Sequence, residues 1–109
     1  LKEDDSGETL SYDSGSQQGN GTALQRILST GTGSDIDQCV SGVMTLFAPA
    51  STTYVKHFTA VGNGTDHGEY TVNSFMAGYI NVTAAIDEIT FKFDSGNIDA
   101  GVIKMFGVS

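Results

Sequence analysis

Between Ala85 and Val108 the side chains alternate in character. Ile89, Phe91 and Phe93 share one parity, and Glu88, Thr90, Lys92 and Asp94 take the other. A polar, glycine-rich break follows (Ser95-Gly96-Asn97-Ile98-Asp99-Ala100-Gly101), after which Ile103 and Met105 fall on one parity with Lys104 between them. An extended chain turns successive side chains to opposite faces, so a period of two marks a strand with one dry face and one wet face. Parallel sheets are covered on both sides and read as unbroken apolar runs, so a wet face implies an antiparallel sheet. The pattern predicts a hairpin of two strands joined through 95–101, and with it an all-β chain.

The remainder of the sequence is punctuated in the same way. Fourteen glycines and a single proline, Pro49, separate short runs of apolar and hydroxyl residues. Strands are expected over 8–12, 23–29, 40–47, 52–61, 69–73 and 75–82, with Gly78 interrupting the last. The 23–29 run, with Leu24, Ile27 and Leu28, also fits one helical turn, but it is short and uncapped. Residues 40–47 are partly apolar on both parities, with Val40, Met44 and Leu46 against Val43 and Phe47. That argues for a central strand or a strand at a subunit contact. Asn63-Gly64 favours the positive backbone angles of a tight hairpin turn. Turn signals about every ten residues fit an antiparallel β-sandwich of jelly-roll type. The repeated Asp-Ser-Gly units at 5–7, 13–15 and 94–96 have no fixed period, so a solenoid is not indicated.

At 109 residues the chain is one domain, 1–109. A hydrophobic fraction of 39% supports a thin two-layer core anchored by six Phe and four Tyr. The net charge of −8 disfavours nucleic acid, whose phosphates need a basic face, and repels anionic membrane surfaces. No apolar run approaches the length of a membrane-spanning helix. The opening Leu1-Lys2-Glu3-Asp4-Asp5-Ser6-Gly7 reads as the end of a strand entering a turn, which suggests a longer protein whose earlier strands are missing.

Candidate chemistry is sparse. Cys39 is the single cysteine, which excludes an intrachain disulfide, and it is expected to pack as a small buried apolar residue. His57 is expected half exposed in a strand, and His67 in a loop beside Asp66; zinc would need three or four converging ligands. Asp35-Ile36-Asp37 and the Asp-Ser-Gly turns carry calcium-type oxygens, but side-chain turns account for them and the EF-hand spacing is absent. There is no Gly-x-Ser-x-Gly elbow, and Asp87 and Glu88 point to opposite faces of a strand. No catalytic residue, metal ligand or cofactor is therefore assigned. Three Asn-x-Thr sequons (at Asn20, Asn63 and Asn81) read as chance matches in a chain rich in Asn, Gly and Thr. Tyr54, Tyr70 and Tyr79 are the candidate surface or glycan contacts, since a tyrosine ring can stack on the apolar face of a sugar.

The stretch Tyr79-Ile80-Asn81-Val82-Thr83-Ala84-Ala85-Ile86-Asp87-Glu88-Ile89-Thr90-Phe91, continuing through Ser95-Gly96-Asn97 and Ala100-Gly101 to Lys104-Met105-Phe106-Gly107, resembles a family of bacteriophage virion proteins. The family includes tail-fibre, receptor-binding and capsid-decoration proteins. The strand Thr52-Thr53-Tyr54-Val55-Lys56, entered from Pro49, is similar to it too. The likeness is close over the second half of the chain and loose over the first. It implies a jelly-roll-like β-sandwich with no enzymatic activity, located in the virion, acting by oligomer assembly and surface binding. The implied partners are further copies of the chain (often trimeric in such fibres), other virion proteins and a host-surface glycan. It implies no functional residues. The main rival expectation is a carbohydrate-binding module of a secreted bacterial protein.

Overall fold

In a computed structural model, residues 4, 6–7, 9–19, 21–28 and 31–108 are described. The chain is all-β, with one three-stranded antiparallel sheet and a single 3-10 turn, Ser14–Ser16. The strands β1 (Val40–Leu46), β2 (Lys56–Thr65) and β3 (Thr71–Ile80) lie side by side in chain order. Val40 pairs with Gly64 and Leu46 with Phe58; Lys56 pairs with Ile80 and Thr65 with Thr71. Phe47 extends the first ladder by one bond, donating its amide to the His57 carbonyl at 2.9 Å.

Local chemistry explains where these strands depart from expectation. The β2–β3 turn falls at 66–69, and Asn63-Gly64 lies within the ladder. One Asp66 carboxylate oxygen accepts from the amides of Gly68 (2.9 Å) and Tyr70 (3.1 Å), which settles the turn three residues later than Asn63 would. β2 starts at Lys56 because the Ser51 hydroxyl accepts from the amides of Thr53 and Tyr54 and holds that stretch as a turn. β3 is one strand across Gly78. A β-carbon there would lie 2.9 Å from the Phe58 ring, so the glycine makes room for the ring rather than breaking the strand.

Residues 9–12 and 23–28 do not form strands; Glu8, Asn20 and Ser29 lie outside the described residues, as does the opening 1–3. Side-chain amides occupy carbonyls that a ladder would need. Gln18 donates to the carbonyls of Ala23 and Leu24, and Gln25 to those of Ser16 and Arg26. Nor does the hairpin expected between 85 and 108 form. The Ile86 amide donates to the Pro49 carbonyl at 2.9 Å, but among the described residues 87–108 make no backbone–backbone hydrogen bond. Alternation specifies which side chains seek cover, not which strand lies alongside.

The two faces of the sheet differ. The even-numbered face of β2, from Lys56 through Phe58, Ala60 and Gly62, is covered. Leu28 lies over Gly62, where an added β-carbon would come within 2.8 Å of it. The 82–86 segment crosses the opposite end of that face, held by Lys56 and Pro49. Ile89, Phe91 and Phe93 are about two-thirds covered, at 37–38% exposure, while Val102, Ile103, Met105, Phe106 and Val108 remain 64–95% exposed. Ala60 is the one fully buried apolar residue among those described. The accessible surface is 8816 Å², whereas a folded monomer of 11.4 kDa exposes about 5,800 Å².

Candidate functional site

The odd-numbered face of the sheet is exposed along most of its length. Register aligns its side chains in rows across the strands, four of which are exposed throughout. Ser41, Asn63 and Asn73 form the first row, and Val43, Val61 and Phe75 the second. Thr45, Thr59 and Ala77 form the third. Phe47, His57 and Tyr79 form the fourth, at the β1 exit. Every one of these residues is exposed, with Val43 at 72% and Phe75 at 75%. An apolar row and an aromatic row, bracketed by hydroxyl and amide rows, carry no charged residue other than His57 when it is protonated. A solvated sheet face ordinarily alternates towards charge. This one has the composition of a contact surface.

Cys39 belongs to the same parity, one residue before β1, and is exposed, contrary to the burial expected of it. Its odd position directs it to the open side, and no side chain covers that rim. β1 is an edge strand of the sheet rather than a central one.

The structure separates the three candidate tyrosines. Tyr79 lies on the open face, its ring centroid 5.7 Å from that of His57 and tilted by 45°. Tyr54 is exposed in the 51–54 turn before β2. Tyr70 stands at the other end of β3, about 30 Å from Tyr79 at the rise of an extended strand, with its half-buried ring over Gly7 and Gly68. Tyr70 therefore serves the 66–69 turn, and the three rings share no platform. Phe47 and His57, which adjoin Tyr79, carry no signal in sequence beyond their parity.

His57 and His67 lie at opposite ends of β2, and no group of three His, Cys, Asp or Glu converges among the described residues. The Asp35 carbonyl closes a turn with the Gln38 amide, and the Gln38 side chain accepts from the Asp35 amide. The shallow dent beside Leu28, Thr32 and Val72 encloses no room for a ligand.

Lys56 was legible only as a strand residue, yet its side chain is completely buried. Its ammonium donates to the carbonyls of Val82 (3.2 Å) and Ala84 (2.6 Å). The signal was its parity with Phe58 and Ala60. A buried cation is costly without hydrogen bonds, and here two backbone carbonyls accept from two of the three N–H groups. The result is a clasp that fixes the chain leaving β3 against the covered face. The Arg26–Asp94 pair, 3.9 Å apart and exposed on both sides, adds little to that hold.

No helix among the described residues is long and apolar enough to cross a membrane. No protein-family model, no curated protein and no solved structure matches this chain.

Proposed function

We propose that this chain is a non-enzymatic structural subunit of a bacteriophage particle, a tail-fibre, decoration or host-attachment component that works by assembly. The observation that carries the assembly reading is the uncovered face with its Val43–Val61–Phe75 row. The surface area supports it: about 3,000 Å² more is exposed than a monomer of this mass retains. Obligate oligomers bury areas of that order. The placement in a virion rests on the sequence resemblance of residues 79–107.

In this reading the sheet is one layer of a jelly-roll-like β-sandwich. The second layer over the odd face comes from a further copy, at the ~10 Å spacing of packed sheets. Sedimentation equilibrium of the whole chain tests it, with a dimer or trimer expected at low micromolar concentration and a monomer overturning it. The genomic surroundings test the particle: terminase, portal or tail genes are expected beside the reading frame.

The Phe47–His57–Tyr79 row favours a second reading, a carbohydrate-binding surface, because adjacent rings at a sheet rim can stack on a pyranose. Glycan-array binding that Tyr79→Ala abolishes, in a chain that stays monomeric, would favour it over the assembly reading.

A further inference from the structure

The open face is too small to hold copies together alone. Four rows across three strands span roughly 300 Å² in projection, from ~6.8 Å between rows and ~4.8 Å between strands. A stable interface takes about 800 Å² from each partner. Outside that face, the longest run of strongly exposed apolar residues among those described is Val102, Ile103, Met105, Phe106 and Val108.

That segment differs from the alternating stretch before it. Val102, Phe106 and Val108 take one parity and Ile103 and Met105 the other, with Lys104 as its single charge. A strand apolar on both sides is suited to a sheet covered on both faces. Among the described residues its backbone makes no hydrogen bond to another backbone group. β1 supplies the complementary vacancy. Its seven residues, Val-Ser-Gly-Val-Met-Thr-Leu, match 102–108 in length and pair on one side only, with β2. Exposed edges are ordinarily blunted by charge, proline or a bulge. β1 has no charge and no proline, and its register with β2 runs unbroken.

We infer that residues 102–108 are a donated strand, adding to the free β1 edge of a second copy of this chain. This rests on the assembly reading above and names the element that carries it. A strand added at that edge places one apolar parity on the open side of the recipient sheet, beside Val43, and the other on the covered side, beside Met44 and Leu46. Main-chain bonds supply the affinity and the two apolar parities the register.

Ile103→Pro and Met105→Pro test the donated strand, because proline removes a ladder donor and is excluded from paired strand interiors. The segment is exposed in the single chain, so circular dichroism should show the β-sheet unchanged. Sedimentation should show association weakened at least tenfold. Proline variants that assemble as the parent does would overturn strand donation while leaving the assembly reading standing. A parent chain that is itself monomeric would overturn both. The native Cys39 gives a second readout. With Val102→Cys or Val108→Cys, oxidation should give a covalent dimer, and the position that reacts reports whether the donated strand runs parallel or antiparallel to β1. A disulfide formed within one chain would place the segment on its own sheet and overturn the inference.

Discussion

Replacing Phe75 by alanine separates assembly from folding. Phe75 is 75% exposed in the single chain, in register with Val61 and through it with Val43. A phenylalanine contributes about 200 Å² when fully covered, so burial by a second copy removes about 150 Å² more from water. At about 25 cal/mol per Å² this gives an upper bound of about 4 kcal/mol per copy, and 2–4 kcal/mol is the working range. Association should then weaken by roughly 30- to 700-fold for each Phe75 covered. The folded single chain loses almost nothing, since little of the ring is buried within it. Sedimentation velocity across a concentration series reads the first effect, and urea unfolding well below the dissociation constant reads the second. Unchanged association, or a loss of single-chain stability matching the loss of association, would refute the view that the odd face is a contact surface.

The remaining predictions concern the sheet and its supports. Gly78→Ala should destabilise by about 1–3 kcal/mol in chemical denaturation, because the added methyl meets the Phe58 ring at 2.9 Å inside a paired strand. Lys56→Met keeps most of the stem and removes the donor to the Val82 and Ala84 carbonyls. About 1–3 kcal/mol should be lost, together with hydrogen-exchange protection at the Ile86 amide, the next tether of that segment. At Asp13 the Ser16 hydroxyl holds the carboxyl below the ordinary aspartate range, opposed by desolvation and helped by the Gly15 and Ser16 amides and the Arg26 charge. A depressed folded pKa stabilises the 13–16 turn above the unfolded value, and this is lost as pH falls through the folded one. Carboxyl-detected NMR should show Asp13 titrating at lower pH than a free aspartate, and Ser16→Ala should move it back up.

What the sequence made legible was parity, and what it hid was partnership. Val40, Met44 and Leu46 do share a face, as do Phe58 and Ala60, because alternation is a property of one extended chain and needs no knowledge of its neighbour. Pairing depends on residues far away in sequence, and here small polar groups decided it. Asp66 settled a turn that Asn63-Gly64 seemed to claim, and Gln18 and Gln25 took carbonyls from the 23–29 run. The sharpest alternation in the chain, 88–94, left Ile89, Phe91 and Phe93 at 37–38% exposure and acquired no ladder among the described residues. The same distinction explains the site. Lys56 stood in the parity of the core and was buried there, held by carbonyls 26 and 28 residues away that no local pattern encodes. The open face is its counterpart. Val43, Val61 and Phe75 were each readable as strand residues, but only register brings them into one row. A period-two sequence states how much surface must be covered. Here the chain covers one face of its sheet and leaves an apolar row on the other, and it is our proposal that assigns that cover to a second copy.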